Sequence, residues 1–224
     1  MMGLGVAQDL SALGGYARSF VSRASTATYI DPNGVLQTAG VNVPRYQNGA
    51  LLVEGAATNA LVPSSDLTNA AWLNQANATT VLMTDGNNEI FTRVTSAGYS
   101  GNLRLVNICT AGYVPPNNGP ATYALQIRGA PALLQISAYA LGYTDLIYAQ
   151  ASFAGSVDWV LLYCTIPNCG AARTNWEADI YFPTGGTGPT DIRRTQLTAE
   201  LAPSSYIPTT SAPVTRAADI TAQI

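Results

Sequence analysis

From Phe20 onward hydrophobic and polar residues alternate in short runs separated by turn-forming clusters, the period-two signature of half-buried β-strands. The run at 21–30 ends in Asp31-Pro32-Asn33-Gly34, a hairpin turn signal, and 35–43 reads as its partner strand. A second turn at Gln47-Asn48-Gly49 precedes a short apolar strand. Ser64, Ser65 and Asp66, followed by Asn69-Ala70-Ala71-Trp72, predict one serine-capped helical turn. Strands are then expected at 79–84, 89–96, 102–110, 122–129, 133–142, 145–153, 158–166, 175–183 and 190–201. Tyr123, Leu125 and Ile127 mark one core-facing row, and Trp176, Ala178, Ile180 and Phe182 another. Proline-rich segments at 113–120 and 183–189 read as loops, and Pro203, Pro208 and Pro213 make the end of the chain an extended strap. No long stretch keeps a helical period. The fold class expected is all-β, an antiparallel sandwich or jelly roll over 20–224, preceded by a short arm at 1–19. The arm reads either as a short helix from Ala7 to Leu13 or as an extended segment.

Composition narrows the chemistry. The chain has 224 residues, of which 10% are charged, against about 25% in ordinary soluble domains. All ten basic residues are arginine; lysine and histidine are absent. Without histidine there is no Ser-His-Asp triad, Cys-His pair or histidine metal site, and without lysine no Schiff base or P-loop. A net charge of −3 offers no general nucleic-acid footprint. No apolar run approaches the roughly 20 residues that span a bilayer, and the first residues lack a signal peptide's basic region. Nucleic acid and membrane insertion are therefore not expected. Three cysteines do not make a disulfide framework; Cys164 and Cys169 read either as a hairpin-closing pair under oxidant or as small buried hydrophobes.

Glu177 and Asp179 stand two apart on a predicted strand, so both carboxylates project from one face. A glycoside hydrolase can use such a pair, but jelly-roll enzymes of that kind need a further glutamate just downstream, where Tyr181 and Phe182 stand. The alternative is a polar outward face with Trp176 and Ile180 inward. No catalytic residue and no cofactor is assigned. Tyr99, Tyr113, Tyr139, Tyr143, Tyr148 and Trp159 are available to stack on sugars or to line the rim of the core. The turn Asp85-Gly86-Asn87-Asn88-Glu89 carries oxygens suited to calcium, but as a lone acidic turn it assigns no metal.

Three blocks carry a family resemblance. Ser22-Arg23-Ala24-Ser25-Thr26-Ala27-Thr28-Tyr29 with Gly34-Val35-Leu36-Gln37-Thr38 opens it. Leu51-Leu52-Val53-Glu54-Gly55, Thr58-Asn59 and Asn69-Ala70-Ala71-Trp72 follow. Ser205-Tyr206-Ile207-Pro208-Thr209 and Val214-Thr215-Arg216-Ala217-Ala218-Asp219 close it. Together they resemble the head-spike or head-fibre module of tailed-phage virions, over about residues 20 to 220. Val21, Ala57 and the segment Gln196-Leu197-Thr198 depart from its pattern.

The resemblance implies a concanavalin-like jelly roll on the outer surface of a virion, made in the bacterial cytoplasm. It implies a capsid decoration or head-fibre protein, with a tail-fibre carbohydrate-binding module as the alternative and a polysaccharide depolymerase further off. Implied partners are the major capsid protein or other virion proteins, further copies of itself in a homotrimer, and host or environmental glycans. If the chain ends pair, as the resemblance implies, Arg23, Arg193, Arg194 and Arg216 are candidates for structural forks with Asp31, Asp191 and Asp219, the alternative being a site for an anionic ligand. Leu4, Val6, Leu10 and Leu13 are candidates for an assembly contact of the arm.

Overall fold

The computed structural model describes residues 19–74, 78–95, 103–108, 118–140, 144–170, 173–182 and 188–223. Leu4, Val6, Leu10 and Leu13 lie outside them. The region from residue 19 onward falls into two compact units. One is built from the described residues of Met1–Ala57 with Ser204–Ile207 and Thr215–Ile224, the other from those of Thr58–Pro203 and Pro208–Val214.

The first unit contains β1 (Ser19–Ser22), β2 (Ala27–Ile30), β3 (Leu36–Ala39), β4 (Tyr46–Gln47) and β5 (Ala50–Leu51). After β6 (Ala57–Asn59) the chain builds the second unit and comes back through β17 (Val214–Arg216) to β18 (Ile220–Gln223). β1 and β18 pair antiparallel, so the two ends of this unit share a ribbon. β2 and β3 form the hairpin over the Asp31 turn. There Asp31 Oδ1 accepts from the backbone N–H of Asn33 and Val35, both at 2.9 Å, and Gly34 adopts φ +79°. β4 and β5 are joined by Asn48 and Gly49 at φ 53° and +78°, the left-handed pair that a tight hairpin requires.

The second unit is an antiparallel β-sandwich of jelly-roll type. Its remaining strands are β7 (Trp72–Asn74), β8 (Thr79–Thr84), β9 (Ile90–Thr95), β10 (Leu103–Ile108), β11 (Ala121–Gly129) and β12 (Ala132–Ala140). They continue with β13 (Thr144–Phe153), β14 (Ser156–Ile166), β15 (Arg173–Phe182) and β16 (Pro189–Thr198). One sheet has the order β13-β12-β15-β10-β7 and the other β14-β11-β16-β9-β8. From β7 to β16 consecutive strands lie in opposite sheets, except for the pairs β8–β9 and β12–β13, which stay within one sheet. Alternating side chains of both sheets fill one core. Leu134, Ile136, Trp176, Ala178 and Ile180 come from the first sheet, and Tyr123, Leu125, Ile127, Ile192 and Leu197 from the second. All are buried, each contributing roughly 1.5–3 kcal/mol where a large apolar group leaves water.

Two local features depart from or refine the sequence reading. Residues 64–71 form bends and turns, not a helical turn. Asp66 Oδ1 accepts from the Thr68 N–H at 2.9 Å and Asn69 Oδ1 from the Ala71 N–H at 3.0 Å, so side chains take the backbone donors that a helix would use. At the β11–β12 corner Gly129 sits at φ +102°, and a Cβ there would lie 2.2 Å from the Pro189 carbonyl oxygen. Only glycine fits, and this corner leads directly into the wall of the cavity described next.

Candidate functional site

The outward-pointing residues of the first sheet form rows across the strands, because directly opposed residues of antiparallel strands share a face. Ser152, Leu133, Tyr181 and Arg104 make one row, and Gln150, Gln135 and Asp179 the next. Tyr148, Ser137 and Glu177 make the third. A cavity of about 490 Å³ lies over the first two rows, lined by Pro131, Ala132, Leu133, Gln135, Gln150, Ser152 and Tyr181. Its polar groups are prearranged: Gln150 Nε2 donates to Gln135 Oε1 at 2.5 Å, and Gln135 Nε2 donates to Ser137 Oγ at 2.8 Å.

Charged groups border the cavity on β10 and β15. Arg104 Nε donates to Asp179 Oδ1 at 2.8 Å and Nη2 donates to Glu177 Oε2, while the Tyr139 hydroxyl donates to Glu177 Oε2 at 3.4 Å. The guanidinium of Arg104 lies 5.7 Å from the centroid of the Tyr181 ring, close enough to steady it. The Asp179 side chain has no exposed surface, and its Oδ2 lacks a hydrogen-bond partner among the described residues. Burial outweighs the attraction of Arg104 and pushes the Asp179 carboxyl up to about 6. Burial likewise raises the phenols of Tyr139 and Tyr181, so both stay neutral hydrogen-bonding groups.

The outer face of the second sheet carries a closed network of charges. Asp191 accepts from Arg93 Nε at 2.7 Å and from Arg128 Nε at 2.9 Å. Trp159 lies under two guanidiniums, 4.6 Å from that of Arg128 and 4.1 Å from that of Arg193, with Phe91 edge-on at 5.8 Å. A bulge in β16 opposite Leu125, with Arg194 at φ 55°, turns Arg193 and Arg194 toward the same turn. Arg193 reaches Asp85 and Glu89, each at 2.8 Å, and Arg194 reaches Glu89. The acidic turn 85–89, weighed for calcium, is thus held by arginines and by its own backbone, with Asp85 Oδ1 accepting from the Asn87 and Glu89 N–H groups. Among the described residues no cluster of carboxylates and thiols has a metal-binding arrangement.

In the first unit three buried arginines meet two carboxylates. Arg23 Nη1 bonds Asp219 Oδ1 at 2.8 Å, and Arg45 bridges Asp219 at 2.5 Å and Glu54 at 2.8 Å. Arg216 Nη1 lies 3.4 Å from Glu54 Oε2, and the Ser205 N–H and hydroxyl both donate to Glu54 at 2.6 Å. Burial opposes charge on Glu54 and Asp219, but these partners outweigh it and hold both carboxyls below their ordinary values. Removing one member of such a set leaves buried charge unmatched, at a cost of about 3–5 kcal/mol.

The predicted ion-pairing residues therefore divide. Arg23, Arg216 and Asp219 share the cluster of the first unit. Arg193 and Arg194 bond the 85–89 turn, and Asp191 bonds Arg93 and Arg128. Of the candidate sugar-stacking rings, Tyr139 and Tyr148 stand on the outer face of the first sheet and Trp159 on that of the second; Tyr99, Tyr113 and Tyr143 lie outside the described residues. Cys164 and Cys169 are buried free thiols, pushed up to about 12 and about 11 by burial. Sequence reasoning did not single out Gln135, Gln150, Arg104, Arg45 or Glu54 as site residues, and it named Tyr181 only as the occupant of a missing acid's place.

No family model matches the sequence, and no curated protein matches it. Among solved structures the chain is similar to the enzymatically active domain of bacteriophage CBA120 tailspike protein 4. The identity is 9% and the TM-score 0.50, over 62% of this chain and 21% of that one, so the chain spans well under two thirds of that protein. A β-sandwich carbohydrate-binding module studied for promiscuous specificity aligns at 14% identity and TM-score 0.45, over 82% of this chain and 86% of that one. A module bound to β-1,4-galactotriose aligns at 13% identity and TM-score 0.45, over 63% of this chain and 99% of that one. At 9% identity the tailspike likeness establishes the β-sandwich fold alone.

Proposed function

We propose that this chain is a virion-borne saccharide-binding protein whose ligand lies on the outer face of the β13-β12-β15-β10-β7 sheet. The observation that carries the reading is the cavity itself. A pyranose has an apolar C–H face and a rim of hydroxyls; the cavity offers Tyr181 and Leu133 for the first and the Gln135, Gln150 and Ser152 side chains for the second. The row arrangement continues toward Ser137 and Tyr148, which is 57% exposed, so a chain of several sugar units has a surface to follow.

Binding is favoured over hydrolysis. Glu177 and Asp179 both bond the same guanidinium, which leaves neither placed as a separate proton donor facing a nucleophile across a scissile bond.

The phage assignment draws support from the three sequence blocks. Arg23 of the opening block, Glu54 of the second, and Ser205, Arg216 and Asp219 of the closing block all belong to the buried cluster of the first unit. Residues far apart in sequence, one or more from each block, thus serve one cluster. On this reading the protein decorates the head or forms a head fibre as a homotrimer, with the arm at 1–19 contributing to attachment on the shell; a place on the tail is the alternative.

A glycan array followed by calorimetry on the hits tests the binding function. Saccharide binding that falls at least tenfold in Tyr181→Ala is expected, and an array without hits contradicts the reading. Antibody labelling of intact particles tests the location, with label on the head expected and unlabelled particles contradicting a virion role.

A further inference from the structure

The residues that line the cavity, Leu133, Gln135, Gln150, Ser152 and Tyr181 with Pro131 and Ala132, carry no charge. The charges beside it are unequal: among the described residues Asp179 and Glu177 share one ion-pair partner, Arg104. Two of the Arg104 nitrogens already bond those carboxylates, so an incoming anion finds that guanidinium occupied. The buried Oδ2 of Asp179, which has no hydrogen-bond partner among the described residues, leaves part of this negative charge unmatched, and Asp179 stands opposite Gln135 in the register and two residues before Tyr181 on the same face. Resting on the saccharide-binding reading, we propose that the site selects uncharged saccharide chains over anionic ones, with Arg104 as a positioning residue for Tyr181.

The physical basis is a single uncompensated negative charge bordering a partly enclosed site. A ligand carboxylate pays repulsion from it and meets a guanidinium whose charge two carboxylates already share, a difference worth roughly threefold to tenfold in affinity at ordinary salt. The titratable and charged groups facing Asp179 are Arg104 from β10, Tyr139 from β12, and Glu177 and Tyr181 from its own strand, with Cys164 of β14 on the core side. Because the Asp179 carboxyl titrates near 6, acidification brings this cluster toward neutrality.

The test uses the full chain and matched probes: cello-, manno- and galacto-tetraose, and the same tetrasaccharides with their primary hydroxyls oxidised to carboxylates. At pH 7.5 the neutral form of whichever binds is expected to bind threefold to tenfold more tightly than its oxidised form, and the ratio is expected to shrink at pH 5. In Glu177→Gln/Asp179→Asn the ratio inverts, because Arg104 is released to meet the ligand carboxylate. Arg104→Lys weakens neutral and oxidised probes alike while the fold, read by circular dichroism, persists. Should the double variant not fold, the ratio in the unmodified protein at the two pH values still decides. Equal or tighter binding of the oxidised probe at pH 7.5 overturns the selectivity, whereas binding of no saccharide overturns the underlying function.

Discussion

The two outer faces of the sandwich are built from the same strand chemistry and end in opposite states. Each carries a buried aspartate beside an arginine and an aromatic ring. On the second sheet Asp191 bonds two arginines, Arg93 and Arg128, and Trp159 is covered by guanidiniums. On the first sheet Asp179 shares the single Arg104 with Glu177, and Tyr181 remains part of a cavity wall. Burial raises the pKa of both aspartates; at Asp191 the paired arginines win and the carboxyl lies below its ordinary value, while at Asp179 burial wins. The difference teaches how a sheet surface becomes either a structural seal or a site. Carboxylates fully supplied with arginines lock a face, and a deficit of cations beside neutral amides and an aromatic wall leaves one open to a ligand.

The strongest way to break this comparison is Asp191→Ala. Arg93 and Arg128 lose their shared carboxylate, and a stability loss of about 3 kcal/mol is expected from urea unfolding, with saccharide affinity unchanged. A parallel loss of affinity would show that the two faces are not independent.

The pH dependence of stability separates the faces next. Asp179 binds its proton more tightly folded than unfolded, so its contribution is complete below about pH 4 and is lost as pH rises through 6, about 3 kcal/mol in all. Asp191 behaves oppositely, contributing above its ordinary pKa of 3.8 and losing that contribution as pH falls further. Asp179→Asn is expected to flatten the slope between pH 4 and 6 and to leave the acid limb in place. An unchanged slope would remove Asp179 as its source.

The smallest expected effects sharpen the contrast in function. Gln150→Ala removes one polar contact of the cavity and is expected to weaken saccharide binding threefold to tenfold, about 1 kcal/mol. Trp159→Ala on the opposite face is expected to change affinity less than twofold while lowering stability through its lost cation–π contacts. Comparable losses of affinity in both variants would mean that the binding surface has been misassigned.

Much of the sandwich was legible because its signals are local. The nine strands from β8 to β16 each follow a predicted period-two run, and Trp176, Ala178, Ile180 and Phe182 point into the core as their alternation implies. That same alternation places Glu177, Asp179 and Tyr181 together on the outer face. What it cannot supply is the neighbour: Arg104 is 75 residues from Asp179 and meets it only because β10 pairs with β15. Gln135 and Gln150 were equally hidden, since an outward glutamine reads as ordinary solvent-facing polarity until the register sets the two side by side. The turn at 64–71 was misread for a different reason, the competition of Asp66 and Asn69 side chains for backbone donors, which resembles helix capping at the level of sequence. The buried cluster of the first unit was partly visible in Arg23, Arg216 and Asp219, while Arg45 and Glu54, brought in by the pairing of distant segments, were not singled out as ion-pairing residues.

The most direct measurement of the central claim is a saccharide titration of isotope-labelled protein followed through its backbone amide resonances. Using the tetrasaccharide identified on the array, the largest shifts are expected at Leu133, Gln135, Gln150, Ser152 and Tyr181, with the amides around Trp159 and Asp191 unmoved. Shifts centred on Trp159 and Asp191, or none at saturating saccharide, would contradict the assignment of the β13-β12-β15-β10-β7 face as the binding surface.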